Sequence, residues 1–156
     1  MPSRPASDPL DLGVVDALAQ LAFLVHGTLE ARAEGRDISM AQVRLLGVLR
    51  DRRPTMNELA RLLGLDKSSV TGLVDRAERR GLVAREPSET DRRAVRVALT
   101  RRGRAIVNQV SREFEAQVRR YLQPLSDRET ATLSRLVSRL LVAQADERGV
   151  DLVAAE

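Results

Sequence analysis

Residues 55–81 read TMNELARLLGLDKSSVTGLVDRAERRG, and the reading of the fold turns on them. Thr55-Met-Asn-Glu58 has the form of a capping box, in which the threonine hydroxyl and the glutamate carboxylate satisfy the free backbone donors at a helix start. Met56, Leu59, Ala60 and Leu63 then recur at helical spacing, and Gly64 ends the segment. Asp66 is placed to cap a second helix, Lys67 to Arg80, closed by Gly81. Within it Val70, Leu73, Val74 and Ala77 form one apolar stripe at i, i+3, i+4 and i+7. The opposite face carries Ser68, Gly72, Asp75 and Arg79, with Thr71 and Arg76 on its flanks. A glycine inside a helix costs about 1 kcal/mol relative to alanine, a cost that makes sense where something approaches Gly72 closely. Two short helices joined by a tight Gly-Leu-Asp turn read as a helix-turn-helix, whose second helix can enter the DNA major groove.

The residues that follow extend the motif. Leu82-Val-Ala-Arg85 reads as a strand, and Ala94 to Leu99 alternates with Val95, Val97 and Leu99 on one side. Between them Glu86-Pro-Ser-Glu-Thr-Asp-Arg-Arg93 is a polar connection with turn residues and terminal arginines. A hairpin directly after a helix-turn-helix is a wing, so the expected architecture is mainly α with a small β wing.

Four segments carry a family resemblance: Asn57-Glu-Leu-Ala-Arg-Leu-Leu-Gly64, Ser69-Val-Thr-Gly-Leu-Val-Asp-Arg76, Arg80-Gly-Leu-Val83, and Asp91-Arg-Arg93 with Val97-Ala-Leu-Thr100. In order and spacing they resemble the MarR family of bacterial transcription regulators, and the helical layout extends the resemblance over nearly the whole chain. The family's wing signature, Asp-x-Arg before a strand ending Leu-Thr, is matched by Asp91, Arg93, Leu99 and Thr100. The resemblance implies a winged helix-turn-helix flanked by N- and C-terminal dimerisation helices. It also implies an arginine, Arg93, that enters the minor groove while Asp91 holds it, and a small, often aromatic or anionic, effector.

The 156 residues suit one domain or one subunit of an assembly. Only Phe23, Phe114 and Tyr121 are aromatic, so the core is Leu, Val and Ala. With no cysteine, disulfides, thiolate metal sites and thiol redox sensing are excluded. Net charge is +4, but its distribution is uneven. Arg50 to Arg104 holds 15 basic and 8 acidic residues, net +7, while the remainder holds 11 and 14, net −3. Basic charge concentrated on the winged-helix segment is what a phosphate-contacting surface requires. No apolar run reads as long enough to span a bilayer and the N-terminus has no signal-peptide core, so the expected location is cytoplasmic, with no membrane partner.

In chain order, residues 1–9 read as a disordered arm rich in proline and serine. A first helix is expected from about Leu10 to Glu34, with Leu18, Leu21, Ala22, Val25 and Leu29 on one face and Gly35 as its stop. Ser39 is expected to cap a second helix, Met40 to Arg50, apolar nearly all round and therefore buried. A long helix follows Thr100 to about Leu122, with Pro124 beyond it. Ser126-Asp-Arg-Glu129 opens a last helix through Leu133, Leu136, Val137, Leu140 and Leu141. The apolar stripes of the terminal helices want a partner, and a two-fold homodimer supplies one. The expected division is 10–37 and 101–150 for dimerisation and 38–100 for the winged helix-turn-helix.

The DNA-contact candidates are Thr55, Lys67, Ser68, Ser69, Thr71, Gly72, Arg76 and Arg79, with Asp91, Arg92 and Arg93 in the wing. The hydroxyls suit base edges or phosphates, the cations suit phosphates, and an arginine suits a narrow A·T-rich minor groove. His26 and Phe23 are candidate effector contacts on the first helix; the bland readings are a boundary histidine and a core aromatic. The single histidine and missing cysteine leave no nucleophile-base pair to name, and neither a metal site nor a cofactor is expected. The expected function is therefore sequence-specific binding of a palindromic double-stranded operator as a homodimeric repressor, with release by a small-molecule ligand. The alternative is a winged helix used for non-specific DNA compaction or for protein-protein contact.

Overall fold

The structure, a computed structural model, describes residues 11–87, 94–147 and 149. The arm expected over residues 1–9 and the wing residues Asp91, Arg92 and Arg93 lie outside the described residues. Eight elements follow in order: α1 (Gly13–Glu34), α2 (Met40–Leu49), α3 (Met56–Leu63), α4 (Lys67–Arg79), β1 (Val83–Pro87), β2 (Val95–Leu99), α5 (Arg101–Leu122) and α6 (Asp127–Glu147). The fold is mainly helical with one two-stranded antiparallel wing.

Local chemistry sets the boundaries. Ser39 and Gln42 form a capping box at α2, and Thr55 and Glu58 form one at α3. Ser126 and Glu129 exchange the same hydrogen bonds at the start of α6. Gly64 ends α3 in the left-handed conformation with φ 65°, which costs glycine no Cβ clash. α1 ends at Glu34 with Gly35 as its C-cap, where the sequence places its stop. Gly35 has right-handed φ −60°, and it is Asp37, with φ 55°, that turns the chain toward α2. A short polar side chain is among the few non-glycine types that tolerate that region.

The core gathers Leu45, Leu46 and Leu49 of α2, Leu59 and Leu63 of α3, the Val70, Leu73, Val74 and Ala77 stripe of α4, and Val83 and Val97 of the wing. α2 touches α1, α3, α4, α5 and β2, the buried central position its apolar circumference requires. Leu45 is its deepest residue. In β2, Val97 and Ala98 are buried and Val95 is exposed, so the alternation read from the sequence does not hold at its first position. The other edge of β2 explains part of this. Val97 N–H donates to the Pro54 carbonyl at 2.9 Å and Arg96 bridges Thr55, so the wing is stitched to the start of α3.

α1 packs along α5, where the Thr28 and Tyr121 hydroxyls lie 2.8 Å apart and Arg36 donates to Glu113 at 2.6 Å. The rest of α1 is open: Val14 is 73% exposed, Val15 76% and Phe23 72%. By length and composition α1 is apolar enough to cross a membrane, which corrects the expectation that no run reaches that length. It nevertheless carries Asp16, Glu30, Arg32 and Glu34, and its second half is fastened to α5 by polar groups. α6 leaves Leu136, Leu140, Leu141 and Val142 exposed. Val14 and Leu18 face Leu133, Leu136 and Leu140 across an open groove of 960 Å³.

Candidate nucleic-acid interface

The apolar stripe of α4 is wholly buried, so its polar face is held outward. Lys67, Ser68, Ser69, Thr71, Arg76 and Arg79 are all exposed and Gly72 is half-buried. α3 fixes the start of α4 through a short connection: Leu65 N–H donates to the Ala60 carbonyl at 3.0 Å, and Arg44 of α2 donates to the Leu63 carbonyl at 3.0 Å.

Asp66 organises the first turn. Its carboxylate accepts from Ser69 N–H at 2.8 Å, from Ser68 Oγ at 2.6 Å and from Ser69 Oγ at 2.7 Å. Those hydroxyl bonds from Ser68 and Ser69, helped by the backbone bond, hold its carboxyl far below the usual carboxylate range. Thr71 Oγ1 donates back to the Lys67 carbonyl at 2.8 Å. The space opposite Gly72 is taken by Arg76, whose Nη1 would stand 3.3 Å from an added Cβ. Within one chain, then, the close approach inferred at Gly72 is made by the helix's own arginine.

Two clamps, neither legible in the sequence, fix α4 at its far end. Arg85 of β1 pairs with Asp75 at 2.6 Å and with Glu78 of α4, and its own N–H donates to Glu78 at 3.2 Å. The Asp75 hydrogen bond in particular keeps the guanidinium more firmly protonated than usual. Arg80 reaches the α1–α2 connection, donating to the Asp37 carbonyl and lying 3.3 Å from the Asp37 carboxylate. Side-chain reach between elements leaves no periodic trace, so only the basic excess hinted at these roles. Arg104, at an N-terminus where cations are disfavoured, donates to the Arg50 carbonyl at the end of α2, where cations are favoured.

Thr55 lies half-buried at the start of α3, its hydroxyl engaged with Glu58. His26 and Phe23 are exposed on α1, away from α4. Among the described residues no group of acidic, histidine or cysteine side chains could hold a metal ion.

A polar helix projecting from a leucine-rich core, with a two-stranded wing beside it, defines a winged helix-turn-helix. Residues 36–94 match the model described as MarR family. The chain is 29% identical over 141 residues to the HTH-type transcriptional regulator PecS of Dickeya dadantii, covering 88% of this chain and 85% of that one. Its fold matches wild-type MarR from E. coli at a TM-score of 0.68 and 27% identity, covering 85% of this chain and 99% of that one. It also matches NadR in complex with 4-hydroxyphenylacetate at 0.63 and 23%, covering 90% and 97%. The chain is a DNA-binding transcription regulator similar to those of the MarR family, whose model matches its residues 36–94.

Proposed function

We propose that the protein is a cytoplasmic, homodimeric repressor that binds a palindromic operator through paired α4 helices and is released by a small aromatic or anionic effector. The observation that carries this reading is the division of exposed surface. α4 presents polar and basic side chains, whereas the uncovered faces of α1 and α6 are apolar. Exposed apolar surface on this scale, on two long helices, calls for a partner, and a second copy covers it with a closed two-fold interface. The pairing sets two α4 helices about 34 Å apart, one DNA turn, in successive major grooves.

In this reading residues 38–100 bind DNA, and 10–37 with 101–150 dimerise. Lys67, Arg76 and Arg79 contact phosphates, and Ser68, Ser69 and Thr71 face base edges beside Gly72, with Thr55 at the edge of the footprint. Asp91, Arg92 and Arg93 serve the wing, Arg93 entering the minor groove. His26 and Phe23, exposed on α1, are open to an effector that shifts the spacing of the two α4 helices, a change in the population of DNA-competent geometry. NadR supports an effector of that chemical class, its structure holding 4-hydroxyphenylacetate. A dimer seated on a promoter excludes polymerase, hence repression, and the protein turns over no substrate.

Footprinting on the DNA upstream of its own gene and the neighbouring gene tests the reading. A short palindrome should be protected, with affinity falling steeply as salt rises. Equal binding to every fragment would point to compaction, and no binding to a protein-contact role.

A further inference from the structure

Every hydroxyl on the first two turns of α4 has its proton committed to an acceptor within the chain. Ser68 Oγ and Ser69 Oγ donate to the two oxygens of Asp66, and Thr71 Oγ1 donates to the Lys67 carbonyl. Neither acceptor can reverse these bonds, since a carbonyl and an ionised carboxylate have no proton to give. A hydroxyl has one proton and two lone pairs. With the protons committed, Ser68, Ser69 and Thr71 offer lone pairs outward.

Asp66 adds a negative charge at the same exposed end. Phosphate oxygens are anionic and accept only, so among these groups Lys67 alone suits them. The cations nearer the other end of the helix, Arg76 and Arg79, face no such restriction. In the major groove, donors are the cytosine N4 and adenine N6 amines, while guanine and thymine present acceptors and a methyl group.

We propose that Ser68, Ser69 and Thr71 set operator sequence as hydrogen-bond acceptors, each half-site presenting an exocyclic amine of cytosine or adenine to the start of α4. This rests on the reading that α4 enters the major groove of an operator. The hydroxyls act as a fixed-polarity reader because Asp66 and the Lys67 carbonyl orient them before DNA arrives. Orientation already present in the free protein is not lost entropy on binding. Cytosine fits with least conflict, because adenine sets the acceptor N7 beside its amine.

The test alters the DNA and leaves the full-length protein intact. Operator is first selected from a random duplex pool. Each cytosine is then replaced by pyrimidin-2-one, lacking N4, and each adenine by purine, lacking N6, one position per half-site. We expect one position at which loss of the amine weakens binding roughly five- to tenfold. That penalty should vanish in at least one of Ser68→Ala, Ser69→Ala and Thr71→Val, as it must when the two partners are coupled. Whether it falls at pyrimidin-2-one or at purine separates cytosine from adenine. An enriched operator with no amine-dependent position overturns the inference and leaves the operator reading standing. So does a penalty that follows 7-deazapurine and is abolished by the same serine variants, since the hydroxyls would then be donating to N7. No enrichment at all overturns both readings.

Discussion

The Arg85 guanidinium of β1 stands 2.6 Å from the Asp75 carboxylate of α4, and its other nitrogen meets Glu78 one turn further on. Recognition helix and wing therefore share a charge clamp on top of their buried contacts. Half-exposed ion pairs contribute about 0–1 kcal/mol to stability, so the clamp matters more for angle than for folding. Arg85→Ala should leave the melting temperature within a few degrees, yet weaken operator binding roughly tenfold, about 1.4 kcal/mol. Hydroxyl-radical protection in the flanking minor grooves should fade before major-groove protection does. Unchanged affinity in a well-folded variant would remove Arg85 from this role.

Local signals carried much of the fold. The capping boxes at Thr55 and Ser126 and the four-residue stripe of α4 are events within one helix, and each was legible as such. What escaped were contacts between elements, such as Arg85 with Asp75, Arg80 with Asp37 and Arg36 with Glu113. Gly35 is legible as the stop of α1, but the left-handed turn two residues on falls at Asp37, a residue type with a weaker turn signal than glycine. Among the site residues, exposure of Lys67 to Arg79 followed from the buried stripe. The hydrogen-bond polarity of Ser68 and Ser69 did not, because it depends on where Asp66 points.

Of the glycines, Gly103 stands closest to a neighbouring backbone. A Cβ there would penetrate the Leu82 carbonyl oxygen and lie 2.9 Å from its carbon; both are backbone atoms, and the oxygen already accepts from Thr100 N–H at 3.1 Å. Gly103→Ala must therefore push α5 away from the wing root. A destabilisation of about 1–3 kcal/mol, typical of overpacking, is expected in urea unfolding, although alanine is the better helix former. Stability equal to or above that of the parent chain would contradict the contact.

Four carboxylates are held below their ordinary values by hydrogen bonds to the charged form: Asp66 by Ser68 and Ser69, Glu58 by Thr55, Glu129 by Ser126 and Glu113 by Arg36. A folded pKa below the unfolded one means the unfolded chain binds more protons in acid. Their contribution is thus complete above the ordinary values of 3.8 and 4.5 and is lost as pH falls through the folded values. Melting temperature should be little affected by these groups near neutrality and should drop on acidification below pH 4.5. Asp66→Asn removes one of these groups and should flatten the acid limb. A curve parallel to that of the parent chain would show that Asp66 is not titrating as described.

The apolar faces of α1 and α6 allow the proposed dimerisation to be tested apart from folding. Leu18 and Leu140 are 47% and 57% exposed, outside the buried core that contains α4. Leu18→Glu with Leu140→Glu should therefore keep helical circular dichroism while sedimentation velocity shows a monomer. Each monomer then engages one half-site without the effective concentration that the linked second half supplies. Affinity for a two-half-site operator should fall on the order of 100-fold, and the remaining binding should no longer depend on the spacing between half-sites. A folded double variant that still sediments as a dimer would place the interface elsewhere. A monomer with parental affinity would break the link between pairing and operator recognition.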